Sequence, residues 1–253
     1  SLHLKVDTGM SRLGFECDQF VQQFNNIKSL ENIAVKGIYS HLACADEKNA
    51  MNPNSSTQLQ RERFKELLKL INIENTQNIK IHLANSAGMI LGKDFHFDMV
   101  RVGLSMYGYS PLANINENLF LKPALFLKAK VTFVRTIEKG IGVSYGNKFV
   151  SDRKTKLAVL SIGYADGIIR NLSGKISLIH NKKLYTQVGS ITMDQMMVDI
   201  TDSNDIEVGS TMLLLGSEGD KSISPIDWAD KCNSIPWEIL CSFKNRLPRV
   251  QVD

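Results

Sequence analysis

Near residue 120 the pattern of this sequence changes, and that change limits the fold more than any other feature. Before it, apolar strand-like runs take turns with helix-like ones. After it come short alternating strands parted by turn residues. The first pattern is that of parallel β/α units and the second that of an all-β barrel or sandwich. The sequence therefore predicts two domains, residues 1–120 and 121–253.

In the first part Leu2, Leu4 and Val6 alternate with His3, Lys5 and Asp7, which is a strand period. The strand stops at Asp7-Thr8-Gly9, with Arg12 just past the turn. Phe20, Phe24 and Ile27 recur at helical spacing behind Asp18, a candidate cap. Residues 33–41 form a second strand ending at His41. Phe64, Leu67, Leu68 and Ile71 mark one buried face of a helix that opens near Thr57. Residues 79–86 predict a third strand, Ser86 the start of a short helix, and residues 99–108 a fourth strand.

The polar ends of these strands carry the chemical signal, because functional groups collect at the carboxyl ends of parallel strands. They are Asp7 with Arg12, His41, Asn85 with Ser86, and Arg101 with Gly103. Each also has a plainer reading. His41 can be a hydrogen-bonded structural residue, and Ser86 with Asn85 can be a helix cap or a phosphate cradle. Arg101 within an apolar strand is less easily absorbed, since a buried arginine needs an anionic or hydrogen-bonding partner.

In the second part, strands are expected over residues 125–136, 156–162, 175–179, 183–188, 196–200 and 211–215, and a Ser224-capped helix begins at Pro225. Three patches there set an aromatic, a methionine or an acid among glycines: Val143-Ser144-Tyr145-Gly146, Gly163-Tyr164-Ala165-Asp166-Gly167 and Val188-Gly189-Ser190-Ile191-Thr192-Met193-Asp194-Gln195. Each by itself is compatible with turn chemistry.

Composition narrows the function classes. Thirty basic against 26 acidic side chains leave a net charge of +4, too mild to call for nucleic acid or an anionic membrane. No apolar run approaches a membrane span, and the chain opens on a strand without a signal-like leader. Cys17, Cys44, Cys232 and Cys241 make no Cys-x-x-Cys pair and no metal spacing with the histidines. The expectation is a cytoplasmic protein with no metal, no nucleic-acid partner and no membrane partner.

Taken together, the patches resemble the alanine racemases, fold-type III enzymes that use pyridoxal 5′-phosphate (PLP). The matching segments are Lys5 to Gly14, Tyr39 to Ala43, His82 to Ala87, Val100 to Gly108, Val143 to Gly146, Ile162 to Gly167 and Val188 to Gln195. They fall in the family's order along nearly the whole chain. The resemblance implies the second half of a (β/α)8 TIM-type barrel that binds PLP, followed by a C-terminal all-β domain. The family lysine that binds PLP covalently lies upstream of the matched region, and no lysine here fits its motif. The sequence thus reads as a C-terminal portion of a racemase, inactive by itself.

The resemblance also implies roles. Racemisation removes the Cα proton from one face and returns one on the other, so it needs a base on each. Tyr145 would serve one face and the absent lysine the other. A phenol ordinarily titrates near about 10, so Tyr145 needs assistance, with His41 behind it and Arg101 beside His41. Arg101 would also face the pyridine nitrogen of PLP. Arg12 would bind the substrate carboxylate and the cofactor's phenolic oxygen, with Lys5 carbamylated to orient it. Ser86 and the backbone N–H groups near Gly103 and Leu104 would hold the phosphate. Trp237 stands where a phosphate-contacting tyrosine is usual. Tyr145, Tyr164, Met193 and Asp194 would reach the site from the other subunit of a homodimer. The implied reaction interconverts L- and D-alanine, supplying D-alanine for peptidoglycan. The alternatives are a serine or broad-specificity racemase, or a non-catalytic structural or dimerising module.

Overall fold

The computed structural model describes residues 1–73, 78–112 and 121–252. The chain forms two compact units, Ser1–Ala124 and Leu125–Asp253; the boundary expected at residue 120 lies outside the described residues.

The first unit is a parallel β/α structure. Its elements are β1 (Leu2–Asp7), β2 (Phe15–Glu16), α1 (Cys17–Lys28), β3 (Val35–Tyr39), α2 (Ser56–Leu70), β4 (Lys80–His82) and α3 (Ser86–Leu91). The strands lie in the order β2-β1-β3-β4, all parallel. Alternation sorts the sheet into two faces. Leu4, Val6, Ile38 and Ile81 turn toward Phe20 and Phe24 of α1 and Phe64, Leu67 and Leu68 of α2, and together these make the core. The other face carries His3, Lys5, Tyr39 and His82, with Lys5 beside Tyr39 and Tyr39 beside His82 in register.

Three details differ from the sequence reading. Glu16, not Asp18, is the N-cap of α1 and makes no side-chain cap bond; Asp18 sits in the first turn, where it opposes the helix dipole. α2 starts at Ser56 and is capped by Ser55, whose side chain accepts the N–H of Gln58. The fourth strand expected over residues 99–108 shortens to a single bridge between His82 and Met99. The reason is local. The Asp98 carboxylate takes the N–H of Ile81 at 2.7 Å, a bond a strand would have made with its backbone. Beyond Gly103 the chain tightens into a 3₁₀ turn, Leu104–Tyr107.

The second unit is a closed barrel. β5 (Leu127–Ile137), β8 (Thr155–Leu160), β9 (Ser177–His180), β10 (Lys183–Val188), β11 (Met196–Asp199) and β12 (Thr211–Glu218) pair antiparallel in the ring β12-β5-β8-β11-β10-β9. A pairing of β9 with β12 at Ile179 and Leu213 completes it, which removes the open edges a sandwich would keep. A register shift between Leu213 and Leu215 bends β12 at this closure. The small ladder β6 (Gly142–Val143) with β7 (Phe149–Val150) and the hairpin strand β13 (Lys221–Ile223) are additions to it. Trp228 of α4 (Pro225–Cys232) is fully buried in the core with Leu160, Leu178, Met196 and Leu214. Ser224 and Asp227 close a capping box at the start of α4. A further helix, α5 (Pro236–Ser242), follows α4.

Phe64 is fully buried between α2 and the sheet. Phe64→Ala is expected to destabilise the protein by about 3–5 kcal/mol, read as a fall in the urea midpoint with little change in slope.

Candidate active site

The carboxyl ends of β1, β3 and β4 hold a polar cluster built around Arg101. Its Nη1 donates to His82 Nδ1 at 2.6 Å. Its Nη2 donates to Ser40 O at 2.7 Å, and to Leu83 O and His41 Nδ1, each at 3.1 Å. The guanidinium also lies 5.1 Å from the centre of the Tyr39 ring, a cation–π contact. Its Nε–H is bonded to none of the described residues.

An arginine has only donors, so the Nδ1 atoms of His41 and His82 must both present lone pairs. Both rings are therefore neutral. Burial first, and the Arg101 charge second, hold each imidazole at about 4, below its ordinary 6.5. Arg101 itself is shifted down by burial but stays charged, as a guanidinium does in proteins.

Beneath the cluster runs a buried network that the sequence did not announce. Gln60 of α2 accepts the N–H of Ala43 at 2.9 Å and donates to His41 O at 2.9 Å and Thr8 Oγ1 at 3.3 Å. The hydroxyls of Thr8 and Ser40 bond at 2.7 Å. One amide thus ties the ends of β1 and β3 to α2, and it is 1% exposed, so each of these bonds replaces one that water would have made.

At the end of β1, Asp7 Oδ1 accepts the N–H groups of Gly9 and Met10 at 2.8 and 2.9 Å. This Asx turn sets the loop that carries Arg12. Arg12 is exposed and lines a polar cleft with Asp7, Thr8 and Arg63. Lys5 is buried and donates from Nζ to Leu13 O, in the same loop. Burial lowers its pKa; Asp7 opposes that shift, while Arg12 and Arg101 add to it.

Ser86 begins α3 behind Asn85, whose side chain caps the helix through Gly88 N. Both readings of this pair survive, because Asn85 takes the capping duty and frees Ser86. The Ser86 hydroxyl accepts the N–H of Gly103 at 2.9 Å and of Ser105 at 3.4 Å, so its own proton is available to a ligand. The hydroxyl of Ser105 is buried without a partner among the described residues. A Cβ on Gly103 would meet only the Ser86 hydroxyl, at 3.9 Å. These are the features of an oxyanion cradle: spare donors, an unsatisfied buried hydroxyl and room beside a glycine.

In the second unit, three loops carry the other predicted residues. Ser144 Oγ donates to Ser190 O at 2.7 Å and Ser190 Oγ to Tyr145 O at 2.8 Å. This exchange locks the backbone of Tyr145, while its side chain stands 72% exposed beside a cleft of about 620 Å³ lined by Phe133, Ile141, Val143 and Met197. The N–H groups of Tyr164 and Ala165 bond to Thr192 O and Met193 O, both at 3.0 Å. Gly163 permits this approach, since a Cβ there would fall 2.3 Å from Thr192 O. Arg246 clamps the same two loops, donating from Nε to Asp166 at 3.1 Å and from Nη2 to Asp194 at 2.6 Å. Met193, Tyr164 and Asp194 thus share one joined pair of loops. Trp237 stands partly exposed in the first turn of α5.

Sequence reasoning passed over His3, His82, Gln60, Asp166 and Arg246. For the first two a signal existed: both fall on the strand face opposite the apolar residues.

Two outcomes follow. His41 and His82 are held neutral, with folded pKa values below the unfolded one, so the folded state binds fewer protons between pH 6.5 and about 4. Their contribution is complete above the ordinary value and is lost as pH falls through that window. The urea midpoint should drop between pH 7 and 5, and less steeply in His41→Asn, which keeps an acceptor without the titration. Arg246→Ala should speed amide exchange at Tyr164 and Ala165 by about twofold to fivefold, the scale of an exposed ion pair, measured by hydrogen exchange.

Comparisons with known proteins agree with this geometry. The family model "Alanine racemase, C-terminal domain" matches residues 124–251, and "Alanine racemase, N-terminal domain" matches residues 1–111. The alanine racemase of Prochlorococcus marinus is 51% identical over 99% of this chain and 65% of its own length. The solved structure of alanine racemase from D-cycloserine-producing Streptomyces lavendulae superposes with a TM-score of 0.89 at 34% identity, covering 99% of this chain and 66% of that one. That of Bartonella henselae alanine racemase with covalently bound pyridoxal phosphate has a TM-score of 0.84 at 35% identity, covering 98% and 66%. The chain therefore spans just under two thirds of the length of these relatives. With one family model over each unit, the chain belongs to the alanine racemase family.

Proposed function

We propose that this chain supplies the phosphate cradle, the pyridine-facing arginine and one catalytic base of a cytoplasmic, PLP-dependent alanine racemase. The observation that carries the reading is the pairing of two unlike features on one sheet end. The Ser86–Gly103–Ser105 cradle has spare hydroxyl donors, and Arg101 has both terminal nitrogens bonded to the protein while its Nε–H is bonded to none of the described residues. The cradle fits a phosphate, and the remaining Nε–H fits a ring nitrogen that accepts.

Bound PLP supplies the electron sink that makes a Cα proton removable. The chain's residues do the rest. Ser86 and Ser105 would hold the phosphate through their hydroxyls with the backbone N–H of Leu104, and the N–H of Gly103 would join them on leaving the Ser86 hydroxyl that accepts it here. Arg101 would face the pyridine nitrogen and, being always charged, would disfavour a proton on it. That restrains electron withdrawal and so disfavours side reactions. Arg12 binds the substrate carboxylate through its donor fork. Lys5, buried with its pKa lowered, is a nucleophilic amine. Its attack on CO2 forms an N–C bond and releases one proton to water, giving a carbamate that orients Arg12. Tyr145 exchanges the proton on one face, with neutral His41 linked to Arg101 behind it. Met193, Asp194 and Tyr164 shape the substrate entrance, and Trp237 lies at the phosphate with one indole donor.

The exposed side chains of Tyr145, Ile141, Phe133 and Met193 support a homodimer in which these residues complete the partner's site. No lysine of this sequence is assigned to the covalent bond with PLP.

In the racemase containing these residues, Tyr145→Phe should slow Cα-proton exchange from one alanine enantiomer by about 100-fold or more, and from the other far less. The check is loss of the Cα proton signal in deuterium oxide, followed separately from L- and D-alanine. Equal, small losses would contradict the role given to Tyr145.

A further inference from the structure

His3 lies at the amino end of β1, and no role has been given to it above. It is nonetheless connected to Arg101. His3 Nδ1 is 2.8 Å from His82 Nε2, and the ring centres are 5.0 Å apart. His82 Nδ1 is in turn 2.6 Å from Arg101 Nη1. Two strands, β1 and β4, and the segment that carries Arg101 are joined by one line of hydrogen bonds.

The direction of that line follows from chemistry alone. Arg101 can only donate, so His82 Nδ1 is bare and the His82 proton sits on Nε2. That proton points at His3 Nδ1, which must accept it. His3 therefore carries its own proton on Nε2. The fixed charge of Arg101 sets the tautomers of two histidines in succession, and His3 is what satisfies the outer proton of His82.

The strands are built for this contact. In register His3 sits beside Gly37, and Tyr39, not Gly37, is the neighbour of His82. To reach His82 the His3 ring must cross over position 37. A Cβ there would lie 2.4 Å from His3 Nδ1 and 2.6 Å from its Cγ, so only glycine leaves the path open. His82 is also fixed from the side, because the Tyr39 ring stacks on it at 4.9 Å and 9°. The low pKa of His82, near 4, keeps it in the neutral form that the line requires.

We infer that His3 is a positioning residue for Arg101: by accepting the Nε2 proton of His82 across the opening at Gly37, it holds the His82 lone pair on Arg101 and so aims Arg101 at its ligand. The relay stands on geometry alone; its use in aiming Arg101 at PLP rests on the function proposed above.

The test compares the native chain with His3→Asn, His3→Leu and Gly37→Ala. Asparagine can place an oxygen where Nδ1 stood; leucine cannot accept, and alanine at 37 blocks the path while removing no polar group. Nitrogen NMR of the imidazoles should show His82 protonated at Nε2, with a coupling across the hydrogen bond to His3 Nδ1. That coupling should vanish in Gly37→Ala. The dissociation constant for PLP, read from the cofactor's absorbance, should rise about tenfold in His3→Leu and in Gly37→Ala, the scale of one buried donor left unpaired. His3→Asn should restore most of it. A His82 proton found on Nδ1, or equal PLP binding by His3→Asn and His3→Leu, would overturn the inference. Failure of the native chain to bind PLP while the coupling is present would instead remove the cofactor reading and leave the relay standing.

Discussion

A permanent positive charge set into a sheet end, with no carboxylate of the described residues bonded to it, is the constraint on which the first unit depends. Arg101 is compensated by two backbone carbonyls, two imidazole lone pairs and an aromatic face. None of these neutralises it, so the cluster retains a net charge, with the Nε–H bonded to none of the described residues. Neutral partners satisfy an arginine's geometry without quenching its field. A site assembled this way is suited to a ligand that accepts a hydrogen bond and that the protein must not protonate.

The surrounding structure can be understood as the means of holding those neutral partners in place. Gln60 fixes the backbone on either side of His41 through its bonds to Ala43 and His41. Tyr39 stacks on His82. The second unit uses a different strategy. Its closed barrel carries the candidate residues on exposed loops, and paired serine hydroxyls and one arginine hold the loop backbones. Precision there comes from the scaffold, and the side chains of Tyr145 and Met193 remain open to solvent.

Much of this was legible in the sequence, and what was not has a physical cause. The strand periods of β1 and β3, the apolar face of α2 and the capped start of α4 are local, and local patterns report them. Arg101 drew notice because an arginine in an apolar run is costly. The closure of the barrel depended on one bulge in β12, which no periodicity records. His3, Gly37 and His82 could be joined only once the register of three strands was known. Asp166 and Arg246 are eighty residues apart. Gln60 looked like any polar residue of a surface helix, and its burial is set by where two strand ends stop. Trp237 was read as a tyrosine substitute, and its place in the first turn of α5 is a matter of a helix the sequence had not marked.

What occupies the Nε–H of Arg101 decides the role of this cluster. A crystal structure of the protein with PLP bound would decide it. The account predicts the phosphate within hydrogen-bond reach of the Ser86 and Ser105 hydroxyls and the pyridine nitrogen on Arg101 Nε, with the bonds from Arg101 to His82 and His41 unchanged. A cofactor whose phosphate lies away from Ser86, or whose ring nitrogen faces a carboxylate instead of Arg101, would contradict it.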